Sequence, residues 1–243
     1  SFGDVNQVNE IELGPELATT VELKLESLFI INQGFDSNDD IEVTFHAKLP
    51  SSCYKLAQTE VKSVTDNNFT IVALAKKKNW SLCDRGGLNG AVNITKTLYL
   101  GELEPGEYLF SYKSTQGEQT KAMIVKPTVS QTIDDTVYAP ISSAFIPELV
   151  YSTANAQVIL TGIFNNNCMV LDQKNIEVVR ENNIILVLPR TKILNRQRCK
   201  NTQIPIREIV DLGPMTNPGI YLVHVRSLSG LSVNKVFYVK KKG

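Results

Sequence analysis

Val43-Thr44-Phe45-His46-Ala47-Lys48-Leu49 alternates apolar and polar side chains without a break. A period of two puts Val43, Phe45, Ala47 and Leu49 on one side of an extended strand and the polar residues on the other. That is the pattern of a half-buried strand. Residues 92–100, 108–112, 176–179, 184–188, 221–225 and 233–239 have the same character, rich in Val, Ile and Tyr. Turn clusters such as Asp66-Asn67-Asn68 and Glu181-Asn182-Asn183 separate them. No stretch carries a capped stripe of period 3.6, so the chain reads as all-β.

Moving outward, the strands fall into two copies. Residues 20–30 and 136–146 share Thr, Val, Ser, Phe and Ile in register, and Ile41-Glu42-Val43 lies over Ala156-Gln157-Val158. Cys53-Tyr54-Lys55-Leu56 matches Cys168-Met169-Val170-Leu171; Leu100-Gly101 matches Leu212-Gly213. Pro105-Gly106-Glu107-Tyr108-Leu109 matches Pro218-Gly219-Ile220-Tyr221-Leu222. An ordered series of this kind is the mark of an internal repeat. The expected organisation is an N-terminal segment over 1–18, a first β-sandwich unit over 19–127 and a second over 128–243. A polar connector near 126–131 joins units expected to touch. About seven short strands in about 110 residues suit a β-sandwich.

The cysteines follow the repeat. Cys53 and Cys83 are 30 residues apart, Cys168 and Cys199 are 31 apart. Four cysteines allow three pairings, and the repeat favours one disulfide inside each unit. A zinc site is disfavoured, because there is no C-x-x-C and the two histidines, His46 and His224, occupy non-equivalent places. Disulfides place the chain in the periplasm, at a cell surface or outside the cell. A chain opening at Ser1 without Met fits a mature secreted protein, or a lipoprotein lacking its lipid-bearing Cys.

With Cys, a second Cys about 30 residues on, and then Leu-Gly-x-Leu-x-Pro-Gly-x-Tyr, the chain resembles immunoglobulin-like sandwich modules of bacterial secreted proteins and lipoproteins. The motif is Leu100 to Tyr108 in the first unit and a degraded Leu212 to Tyr221 in the second. The resemblance implies architecture rather than activity. It departs from antibody-type domains in the short cysteine spacing and in placing Trp80 in a loop. It departs from isopeptide-linked adhesin modules because Lys24 falls opposite Pro140.

Composition narrows the function. Lys+Arg and Asp+Glu are 25 each, so no global field draws the protein to nucleic acid. No apolar run approaches the roughly 18 residues of a membrane-spanning helix. No nucleophile, base and acid stand in a recognisable arrangement, no phosphate-binding glycine loop is present, and no cofactor or metal is expected. His46 and His224 read as surface or rim residues. Asp39-Asp40, Asp134-Asp135 and Glu102/Glu104 read as solvated acids of turns and linkers.

One feature remains. The loop before each second Cys is basic: Lys76, Lys77 and Lys78 with Trp80 in the first unit, and Arg190, Lys192, Arg196 and Arg198 in the second. Paired basic loops suit an anionic glycan or an acidic protein patch, and aromatic and Arg side chains are favoured contact residues. The expected protein is therefore non-enzymatic. It binds a protein or anionic envelope polymer, or serves a structural role in a cell envelope. The alternative is a secreted inhibitor of a protease or other hydrolase, presenting the loop 84–93.

Overall fold

The computed structural model describes residues 20–33, 35–79, 83, 90–195 and 198–242. They form an all-β protein. The first half contains β1 (Thr20–Glu22), β2 (Leu25–Ile30), β3 (Ile41–Leu49), β4 (Tyr54–Thr65), β5 (Asn68–Lys77), β6 (Val92–Gly101), β7 (Gly106–Ser114) and β8 (Gly117–Val125). The second contains β9 (Ile141–Phe145), β10 (Leu149–Tyr151), β11 (Asn155–Asn166), β12 (Met169–Leu171), β13 (Glu177–Glu181), β14 (Ile184–Leu188), β15 (Thr191–Ile193), β16 (Asn201–Pro214), β17 (Gly219–Arg226) and β18 (Ser232–Lys240).

The pairings of one half recur in the other. β2, β3 and β6 lie side by side as do β9, β11 and β16. β5 pairs in parallel with β7, which pairs antiparallel with β8; β14, β17 and β18 repeat this arrangement. The β4–β5 hairpin corresponds to β13–β14 extended by β12–β15. In the first half the strand sets join into one sheet through a single pair of partners, Leu25 and Ser114.

Finer detail repeats as well. Gly101 pairs with Ile41 and Gly213 with Ala156, and a bulge follows each pair. Both glycines have φ 73°, in the left-handed region that a side chain disfavours, so the shared Leu-Gly is a bulge requirement.

Each half has its own core. One cluster draws on β2, β3 and β6 and also on β5, β7 and β8, with Leu28, Phe45, Ala73, Phe110 and Met123 buried together. The other, with Val158, Leu160, Val187, Val223 and Phe237, draws on the matching strands. A third cluster spans the halves: Phe29, Ile31 and Phe35 meet Ile184 and Leu222.

That contact corrects the expectation for β3. Its apolar face enters the core, but its polar face is not in water, because Glu42, Thr44 and His46 are all buried. The outer surface of β17 and β18 covers them, supplying His224, Ser232, Asn234 and Tyr238. A half-buried strand has become one buried on both sides, with hydrogen bonds offsetting the loss of water.

Candidate functional site

Both disulfides close within their own halves, Cys53–Cys83 and Cys168–Cys199. Among the described residues no cysteine is free, and no group of three or more His, Cys, Asp or Glu side chains is placed to hold a metal ion. No described helix is long and apolar enough to cross a membrane.

The basic residues belong to strands more than to loops. Lys76 and Lys77 close β5, where Lys55 and Tyr54 stand beside them on β4, and all three of Lys76, Lys77 and Lys78 make further contacts. Lys78 Nζ donates to the carbonyl of Ser52, 2.9 Å away, bracing the chain next to Cys53. Arg190 pairs with Glu177 at 2.9 Å and bridges to Tyr138. Lys192 lies exposed on β15, and Arg198 is exposed beside Cys199. The two basic groups thus sit at corresponding ends of corresponding strands, one in each half. Trp80, Arg196 and most of the loop 84–93 lie outside the described residues.

The most concentrated polar chemistry lies between the halves, where the sequence pointed to surface groups. His46 and His224 are 2% and 0% exposed, correcting the expectation of rim histidines. His224 Nδ1 faces two acceptors, Glu42 Oε1 at 3.1 Å and Asn234 Oδ1 at 2.8 Å, so this nitrogen carries a proton. Glu42 also accepts from Ser232 Oγ at 2.7 Å and Asn234 Nδ2 at 2.7 Å. Burial pushes the Glu42 carboxyl up, but His224, Asn234 and Ser232 outweigh it and hold the carboxyl below its ordinary value.

A second cluster corrects the reading of two acids as solvated. Arg226 Nη2 donates to Asp39 Oδ1 at 2.7 Å and to Asp134 Oδ1 at 2.6 Å. The guanidinium lies 4.3 Å from the centroid of Phe35 and 5.6 Å from that of Tyr138, within cation–π range. Desolvation raises the Asp39 carboxyl above its usual value despite the pull of Arg226. Asp40, Asp135, Glu102 and Glu104 are exposed, as expected of turn acids.

Beside Arg226 the halves leave a cleft of about 670 Å³ lined by Phe35, Asp36, Asp39, Lys126, Tyr138 and Arg226, among others. Its inner carboxylates are already engaged. Asp36 accepts from the backbone of Asn38 and Val129, and Asp39 accepts from Arg226 and from the backbone of Asp36. No histidine lines the cleft among the described residues.

His46 gives the interface a pH dependence. Its Nε2 shares a 2.6 Å hydrogen bond with Tyr238 Oη, and its Nδ1 shares one of 2.9 Å with Thr95 Oγ1. Burial lowers its pKa below the ordinary 6.5, Glu26 raises it, and Lys48 adds to the lowering. A histidine depressed in the folded state binds fewer protons folded than unfolded. Its contribution is therefore complete above the ordinary 6.5 and is lost as pH falls from there through the lower folded value. Urea unfolding across this window should show falling stability on acidification, with a shallower slope for His46→Gln. Equal slopes for parent and variant would remove His46 from this role.

The chain matches no family model, no curated protein and no solved structure among those compared with it.

Proposed function

We propose that this chain is a non-enzymatic recognition or structural protein of an oxidising compartment. It consists of two immunoglobulin-like sandwich modules held in a fixed relation and binds a protein or an anionic glycan. The observation that carries the reading is the fate of the ionisable groups. Both histidines, Glu42, Asp39 and Arg226 are buried between the halves, His224 bonded to Glu42, Arg226 to Asp39, and His46 to Thr95 and Tyr238. Acid–base or nucleophilic catalysis requires such groups within reach of a substrate, and here they join the two halves instead. Basic side chains lie outside this junction, at the disulfide-tethered ends of β5 and β15.

The repeated pairings support the immunoglobulin-like assignment, as does a further shared detail. Tyr108 Oη donates to the Glu104 carbonyl at 2.8 Å, and Tyr221 Oη to the Asn217 carbonyl at 2.9 Å. A tyrosine tied to the backbone a few residues upstream is a hallmark of such sandwiches. Closed disulfides in both halves support the oxidising compartment.

The test replaces Lys76, Lys77, Lys192 and Arg198 with Ser and measures retention on an immobilised polyanionic glycan. The parent should bind at low salt and elute as screening shortens to about 3 Å near 1 M. The variant should bind at least about tenfold more weakly and melt within a degree or two of the parent. Equal retention would show that these charges are merely solvated.

A further inference from the structure

Internal duplication allows each surface of one half to be compared with its counterpart in the other. The bulge glycines fix the correspondence: three residues beyond their partners lie Thr44 and Ile159, and four residues before the glycines lie Thr97 and Ile209. Phe29 pairs with Thr44 just as Phe145 pairs with Ile159. The row Phe29–Thr44–Thr97 across β2, β3 and β6 therefore corresponds to Phe145–Ile159–Ile209 across β9, β11 and β16. Partners directly opposite on neighbouring strands share one face of the sheet.

The two rows have opposite fates. Phe29 is 0% exposed beneath Ile184 and Leu222 of the second half, whereas Phe145 is 62% and Ile209 57% exposed. Ile163, farther along β11 on the same face, is exposed too. The uncovered face is thus the more apolar of the two, and exposed apolar rows of this kind mark interaction sites.

What covers the first row shows what suits the second. The covering surface is the outer face of β17 and β18, centred on Leu222. Its counterpart in the first half is the outer face of β7 and β8, because Gly106 pairs with Val125 as Gly219 pairs with Val239. Leu109 there corresponds to Leu222, and Ile124 to Tyr238; both Leu109 and Ile124 are exposed. Each molecule therefore carries both halves of a second junction, one on each unit.

We propose that the outer face of β9, β11 and β16 docks onto the outer face of β7 and β8 of a second copy of this chain, head to tail. The contact repeats between molecules the junction that joins the halves within one. The buried Glu42–His224 pair has no counterpart in it, since Gln157 stands where Glu42 does, and Ser111 and Thr120 stand where His224 and Asn234 do; its charged groups are Arg207 and Asp211 on one face and Glu107, Lys113 and Glu118 on the other. Because the surfaces are different, the contact is heterologous and leads to rings or open chains rather than a closed pair.

The experiment is sedimentation velocity on the full chain from roughly 1 µM to 1 mM, the span of weak to moderate association. The parent should form species that grow beyond dimer with concentration. Phe145→Asp and Leu109→Asp should each sediment as monomers, and an equimolar mixture of the two should form a dimer and nothing larger, since one intact surface remains on each. Ile209→Asp repeats the test of the first surface from a neighbouring strand, and matching melting curves verify folding. A parent that stays monomeric throughout overturns the proposal. So does a mixture that fails to dimerise, or a Leu109→Asp variant that still pairs with itself.

Discussion

Arg226→Ala is expected to destabilise the protein by about 3–5 kcal/mol, the usual cost of removing one partner from a buried ionic cluster. The guanidinium is 1% exposed and holds Asp39 and Asp134 together through one nitrogen. Without it, two carboxylates face each other beside Phe35 with no cation between them. Asp39 is already raised above its ordinary 3.8 by burial, and losing Arg226 raises it further. A carboxyl raised in the folded state binds more protons folded than unfolded, so stability is regained as pH falls through that folded value. The deficit of the variant should therefore be larger at pH 7 than in mild acid, as read by urea unfolding at both. Replacing the cluster as a whole, with Arg226→Met, Asp39→Asn and Asp134→Asn, should cost much less, because no charge is left unpaired. A loss below about 1 kcal/mol for Arg226→Ala would show that the cluster does not hold the halves together.

Removing either disulfide should cost about 3.6 kcal/mol on the chain-entropy account, since the bridges close loops of 30 and 31 residues. Cys53→Ala/Cys83→Ala and Cys168→Ala/Cys199→Ala should thus be similar in effect. The shared buried interface makes the halves cooperate, so each double variant should lower one common transition rather than split it. Losses should add when both bridges are removed, the sites being in separate halves. Non-reducing peptide mapping should recover Cys53 with Cys83 and Cys168 with Cys199. Two resolved transitions in the parent would show that the interface is too weak to couple the units.

The elements that were legible in the sequence are those set by local pattern. Alternation marked residues 43–49, 92–100 and 184–188 as strands, and all three are strands. Matched cysteines pointed to both disulfides, and the Leu-Gly shared by the copies proves to sit at a bulge whose positive φ only glycine accepts readily. Period-two reasoning failed where a second body covers a strand. It places polar residues away from the core, but Glu42, Thr44 and His46 face another sheet rather than solvent. Nothing local distinguishes these two outcomes, since a polar row suits water and a hydrogen-bonded interface equally. A signal was nonetheless present in the differences between the copies. Where the second half has His224 and Arg226, the first has Ser111 and Lys113, and Gln157 replaces Glu42. His224 and Glu42, each standing where the other copy has an uncharged residue, point to the pair that joins the halves within one molecule. Agreements between the copies carry no trace of Glu42 and His224, whose roles lie where the copies differ.

The polar character of the buried β3 row also has a consequence for biosynthesis. The first half precedes β17 and β18 along the chain, so it emerges and can begin to fold ahead of them. During that interval Thr44, His46 and Glu42 face water, where hydroxyl, imidazole and carboxylate groups are well solvated. An all-apolar row there would leave a nascent sheet open to mispairing with neighbouring chains. The row that later binds His224 and Asn234 thus serves first as a soluble surface for a half-made protein.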